Sequence, residues 1–70
     1  MSDIEQYNYR LVWSQPDAEW VGLCDAFPGL SWLEKDKQAA LDGIRRMVRR
    51  ALDILDEDGM APPAPTTSRT

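Results

Sequence analysis

The side chains that could do chemistry in this chain are carboxylates, arginines and a single cysteine. The 70 residues include no histidine, which removes the usual acid–base residue at neutral pH and the commonest zinc ligand. Asp17, Glu19 and Asp25 could form a catalytic carboxylate pair or bind a cation. They lack further ligands at a recognisable spacing, and turn formation explains them more simply. We therefore expect no catalytic residue, no metal site and no cofactor, and hence no enzyme.

Cys24 is the single cysteine, so it has no partner for a disulfide within the chain. No residue beside it in the sequence offers a base that would activate the thiol, and a strand at this point would bury a small apolar side chain. The sequence therefore favours inert packing. A chain of this size without disulfides is typical of a reducing compartment, which predicts a cytoplasmic location.

A group of arginines in the second half of the chain has two interpretations. The group could bind phosphate, because a guanidinium presents a planar fork to phosphate oxygens. It could also be a solvated helix face, in which Asp42 and Asp53 form ion pairs at helical spacing and neutralise the charge. The sequence favours the second interpretation. The group consists of Arg45, Arg46, Arg49 and Arg50.

An acidic group follows the arginines and has no evident role in stability. Each anion at a helix C-terminus interacts unfavourably with the helix macrodipole and lowers the stability of the helix by about 0.3–1 kcal/mol. The group is either a docking patch for a basic partner or a tolerated surface that salt screens. Its members are Asp53, Asp56, Glu57 and Asp58.

Alternation and turn residues predict three strands that would position these groups. Apolar and polar residues alternate over 7–14 with aromatic and β-branched types, which predicts a half-buried strand. Residues 15–19 contain Pro and Asp and predict a hairpin turn into a second strand at 20–24. After the break at 27–29, the pattern predicts a short third strand at 30–33.

An amphipathic helix is predicted after the strands, because apolar residues recur at helical spacing. Asp36 suits the N-cap, since its carboxylate can accept from the free N–H groups of the first turn. Gly59 suits the left-handed position after the helix, with Met60 placed to contact Leu55. Gly43 inside the helix indicates either close approach of another backbone or simple tolerance.

These elements predict an α+β fold in the order β-β-β-α, with a three-stranded antiparallel sheet and one long amphipathic helix packed on one face. Residues 1–60 would form this domain, and residues 61–70, rich in Pro and Thr, would be a disordered tail. The net charge of −4 disfavours a generic nucleic-acid binder. No apolar stretch is long enough to cross a bilayer, so no membrane partner is expected.

Apolar residues fall on both faces of the predicted sheet, but one helix can cover only one of them. The other face would expose an apolar patch of more than a few hundred Å². A homodimer, a higher oligomer or a bound partner would cover it. The predicted partner-binding residues lie on this outer face and at the acidic end of the helix: Val21, Leu23, Trp32, Asp53, Asp56 and Glu57.

Four segments of the chain resemble the HicB-like antitoxin family, in particular its short single-domain members. They are Tyr7–Ser14, Trp20–Asp25, Phe27–Leu33 with its Pro-Gly loop, and Ala39–Arg45. The resemblance implies a partial ribonuclease-H-like sheet without that fold's catalytic carboxylates. It also implies the antitoxin role in a bacterial type II toxin–antitoxin system, with a HicA-like toxin as partner, which is a small basic protein that cleaves mRNA.

The function expected from the sequence is therefore a non-catalytic protein-binding module that neutralises such a ribonuclease. The alternative is an orphan homo-oligomeric scaffold, or a small-ligand sensor, with no toxin partner. Longer members of the family bind operator DNA through a C-terminal segment. The present sequence ends at Thr70 without one, so direct DNA binding is not expected.

Overall fold

A computed structural model of the chain describes residues 4–63. A short 3-10 helix at Ile4–Gln6 precedes three strands, and a long helix follows them. The strands lie side by side in chain order and pair antiparallel, which confirms the predicted β-β-β-α fold. They are β1 (Tyr9–Ser14), β2 (Glu19–Cys24) and β3 (Ser31–Glu34), and the helix is α1 (Lys37–Glu57).

The strands begin and end within two residues of the predicted bounds. The alternation predicts a strand from Tyr7, but β1 begins at Tyr9, and Tyr7 is buried in the core. β3 begins after Leu30 because the N–H of Leu30 donates to the carbonyl of Phe27 at 3.0 Å and closes the Pro-Gly turn. Alternation alone therefore extends a strand further than its backbone hydrogen bonds do.

The connection between β1 and β2 is the predicted hairpin turn. The N–H of Ala18 donates to the carbonyl of Gln15 at 3.2 Å, and Ala18 has a φ of 53°. The Ser14 hydroxyl donates to Oδ2 of Asp17 at 2.8 Å. Asp17 therefore shapes the turn, as the sequence predicts.

Both ends of α1 have the predicted caps. The Asp36 carboxylate accepts from the N–H of Ala39 at 2.9 Å. At the other end, Gly59 has a φ of 72°, and the N–H of Met60 donates to the carbonyl of Leu55 at 2.8 Å. This six-to-one bond defines a Schellman ending. A side-chain cap at one end and a local backbone turn at the other therefore fix the length of the helix.

The core lies between the sheet and α1. Gly22 faces α1 from the middle of β2, where a Cβ would lie 2.6 Å from the carbonyl oxygen of Ala40. The backbones of helix and sheet therefore meet at Gly22, which fixes where α1 crosses the sheet. The buried side chains around this crossing are Tyr7, Cys24, Ala40, Ile44, Val48 and Leu52.

Gly43 accommodates a side chain rather than another backbone. A Cβ at this position would overlap the indole ring of Trp32. The sequence offers two interpretations of Gly43, and the one in which another backbone approaches it is therefore wrong. The neighbouring group is a side chain. Packing density still explains the glycine, because the space above it is filled by the largest side chain of β3.

The described C-terminal residues return to the core. Residues 61–63 have no regular secondary structure, and the Tyr7 hydroxyl donates to the carbonyl of Pro63 at 2.8 Å. The first residues of the predicted tail therefore contact the domain. The rest of that tail, residues 64–70, lies outside the described residues.

Candidate partner-binding surfaces

Three aliphatic side chains form a row across the sheet face that points away from α1. Val12 pairs with Val21, and Val21 pairs with Leu33, so the three lie side by side on neighbouring strands. Val12 is 46% exposed and Leu33 is 41% exposed, whereas Val21, in the middle, is half-buried. We call Val12, Val21 and Leu33 the outer row.

Polar groups and one further leucine surround the outer row. Leu23 is half-buried and pairs with Arg10 and Ser31. The Nε of Arg10 donates to Oδ1 of Asp25 at 3.0 Å. This pair neutralises both charges at the edge of the face, and the centre of the face is therefore apolar while its rim is polar.

Trp32 does not belong to this face, so its predicted place on the outer surface is wrong. Trp32 pairs with Gly22 and shares the side of the sheet that faces α1. Its indole lies against Gly43, and its Nε1–H donates to Oε2 of Glu34 at 2.9 Å. Strict alternation along β3 places Leu33 outside instead. Alternation in the sequence separates Leu33 from Trp32 and Val12 from Trp13, and the strand pairing then places Leu33 and Val12 outside.

The acidic end of α1 lies on the opposite side of the sheet from the outer row. Asp53, Asp56 and Glu57 are exposed on the helix, and α1 covers the face that carries Gly22 and Cys24. Val21 and Leu23 point the other way. The predicted partner-binding residues therefore form two separate surfaces rather than one.

The arginine group is not neutralised in the predicted way. Asp42 accepts from Nε2 of Gln38 at 3.1 Å rather than pairing with the arginines. Of the ion pairs within residues 4–63, the structure contains Arg10–Asp25 but none from Asp42 or Asp53, so those predicted pairs are wrong. The Arg46 guanidinium instead lies 5.8 Å from the centre of the Trp32 ring.

A shallow cavity of about 450 Å³ lies along this part of α1. Ile4 contributes an apolar side chain from the 3-10 helix, and the arginines surround it with guanidinium groups. The lining residues are Ile4, Arg45, Arg46, Arg49, Arg50 and Asp53. The cavity is therefore a basic groove on an otherwise acidic chain.

The carboxylates of the first half are held apart by other contacts. Asp17 accepts from Ser14, and Asp25 pairs with Arg10. Among the described residues, no three His, Cys, Asp or Glu side chains converge on a point that could hold a metal ion. Cys24 is 2% exposed within the core, where it packs as the sequence predicts.

Comparisons with protein-family models, with curated proteins and with solved structures find no significant match to this chain. Within residues 4–63, α1 is too polar to serve as a transmembrane segment.

Proposed function

We propose that this chain is a non-catalytic protein-binding module whose outer row docks a partner. The observation that carries the proposal is the register of Val12, Val21 and Leu33, which forms a continuous apolar strip across all three strands. No element within residues 4–63 lies over this strip, since α1 packs on the other face of the sheet. Aliphatic groups left in water on a small domain favour association, because burying them is worth about 25 cal/mol per Å².

The size of the face indicates how the partner must bind. Strands about 4.8 Å apart, with residues about 3.4 Å apart along each strand, give the face a footprint of roughly 300 Å². A stable protein interface covers about 800 Å² per partner. The partner must therefore extend from the outer row over the polar rim, where Arg10, Asp25 and Ser31 can provide specificity.

The specific role that we propose is that of a cytoplasmic antitoxin, with a HicA-like ribonuclease as its partner and a homodimer as its working form. The resemblance of four segments to the HicB-like family supports this role. The net charge of −4 also supports it, because an acidic surface speeds encounter with a basic ribonuclease.

The proposal is tested with the protein encoded beside this chain. Binding is measured by titration calorimetry, and inhibition is measured as cleavage of an RNA substrate. Val12→Lys and Leu33→Lys each place a charge on an exposed position of the outer row, so the fold is retained. Each is expected to weaken binding by about tenfold or more, since a charge buried at an interface without a partner is costly.

Gln38→Lys is the matched control, because it adds the same charge at an exposed position of α1. It should bind as the unchanged chain does. Equal affinity for all of these variants would exclude the outer row as the docking surface. Strong binding without inhibition of cleavage would retain the binding module and exclude the antitoxin role.

The second candidate is a homo-oligomeric scaffold without a toxin partner. The outer row favours this candidate, because the aliphatic strip on one copy can pack against the same strip on another copy. In that case the unchanged chain would be fully oligomeric, Leu33→Lys would dissociate it, and no neighbouring protein would bind. Light scattering on the two proteins separates this outcome from the first.

A further inference from the structure

From Arg45 to the C-cap Asp58, the charges of α1 lie in two blocks. The basic block is Arg45, Arg46, Arg49 and Arg50, and no acidic residue interrupts it. The acidic block is Asp53, Asp56, Glu57 and Asp58, and no basic residue interrupts it. All of these side chains are exposed except Arg45, which is half-buried.

The two blocks do not neutralise each other within one copy of the chain. At about 1.5 Å per residue, their centres lie roughly 13 Å apart along the helix, which exceeds the Debye length of about 8 Å in physiological salt. At their border, Arg49 and Arg50 form no ion pair with Asp53 among the described residues. The exposed Arg46, Arg49 and Arg50 and the acidic block therefore present separate fields to solvent.

We propose that a second copy of this chain docks along this face, with its α1 antiparallel to the first. A two-fold axis on the solvent face of α1, at the level of residues 51 and 52, places Arg50 opposite Asp53 of the second copy and Arg46 opposite Glu57 of the second copy. The symmetry repeats both pairs, as in any isologous interface. The charge pattern is therefore complementary to itself in this orientation, whereas a parallel arrangement would set like charges together.

A nucleic acid fits the same face less well. The basic block spans about 7.5 Å along the helix, from Arg45 to Arg50. Each strand of a B-form duplex carries a phosphate about every 3.4 Å along the duplex axis. Such a strand would extend onto Asp42 on one side or the acidic block on the other, where its phosphates are repelled.

This inference deepens the homodimer of the proposed function and leaves the outer row free for the partner. The two surfaces lie on opposite sides of the sheet, so one chain can engage both at once. Because exposed ion pairs give orientation more than affinity, the dimer is weak and dissociates as salt rises.

The test uses two charge-reversed variants of the full chain and sedimentation velocity. R46E/R50E makes the four paired positions 46, 50, 53 and 57 all acidic, and D53K/E57K makes the same four positions all basic. Each variant alone is expected to be monomeric at low salt, where the unchanged chain dimerises. An equimolar mixture of the two variants is expected to form a dimer again, because an acidic face then meets a basic one.

R46K/R50K is the matched control, which keeps the charges and should keep the dimer. Circular dichroism checks that every variant retains the helix. A mixture that sediments no faster than the separate variants would overturn the proposal. So would a dimer that Leu33→Lys dissociates and R46E/R50E leaves intact, since the second copy would then occupy the outer row. Binding of a single-stranded oligonucleotide that R46E/R50E abolishes would also overturn it.

The same variants distinguish a failure of the helix interface from a failure of the antitoxin proposal. Loss of the dimer in R46E/R50E with unchanged binding of the neighbouring protein supports the helix interface and the outer row as independent surfaces. An unchanged dimer in R46E/R50E excludes the helix interface and has no bearing on partner binding at Val12 and Leu33.

Discussion

Replacing Gly43 by alanine sets helix propensity against tertiary packing. Gly43 lies within α1 and is buried. In a helix interior, Gly→Ala stabilises by about 1 kcal/mol. At this position the new Cβ would overlap the indole ring of Trp32, so the ring or the helix must move.

The packing penalty is the larger of the two effects. Overpacking a close-packed site costs about 1–3 kcal/mol. Displacing the ring also strains the bond of 2.9 Å from its Nε1–H to Glu34, and a hydrogen bond contributes about 0.5–1.5 kcal/mol. After the gain in propensity, we expect Gly43→Ala to lower the free energy of unfolding by about 1–2 kcal/mol.

Urea unfolding followed by tryptophan fluorescence and by circular dichroism measures this change. Gly29→Ala is the control, because nothing lies within 4 Å of a Cβ at that position, and its stability should change little or rise. A Gly43→Ala variant as stable as the unchanged chain would refute the argument from packing. It would show that Trp32 does not occupy the space above the helix.

Three further substitutions test contacts that position the surfaces. Gly22→Ala forces a Cβ to 2.6 Å from the Ala40 carbonyl oxygen. Because a helix backbone cannot rotate away as a side chain can, we expect thermal unfolding to show that the free energy of unfolding falls by about 2 kcal/mol or more. A gain in melting temperature would contradict it. Asp36→Ala removes the N-cap and should cost about 1 kcal/mol in urea titrations, with Asp36→Asn nearly neutral. Equal losses in both would show that the cap bond is not the cause. Tyr7→Phe removes the bond to Pro63 and should cost about 1 kcal/mol, with faster exchange of the Met60 amide, which bonds to Leu55 just before this contact. Unchanged exchange at Met60 would count against the contact.

The elements follow from local signals in the sequence because their causes are local. Asp36 and Gly59 cap α1 through backbone groups a few residues away, and alternation along each strand is a property of the pleat. Strand ends are less predictable, since they depend on hydrogen bonds across the chain. The N–H of Asp25 donates to the carbonyl of Asn8, which no local pattern indicates.

The binding surfaces were predicted only in part. Val21 and Leu23 are on the outer face as expected, but Trp32 is on the other face because it pairs with Gly22. Alternation separates Trp32 from Leu33, and only this pairing shows which of the two lies outside. The prediction that the arginines pair with Asp42 and Asp53 is wrong for another reason. Exposed side chains have several partners of similar energy, and Asp42 accepts from Gln38 instead.

The central claim is that the outer row is the docking surface, and amide chemical shifts map it most directly. The chain is labelled with nitrogen-15 and titrated with the protein encoded beside it. We predict that the largest shifts fall at Val12, Val21 and Leu33, with small shifts at Arg46 and Arg50. Shifts confined to α1, with none on the outer face of the sheet, would contradict the account.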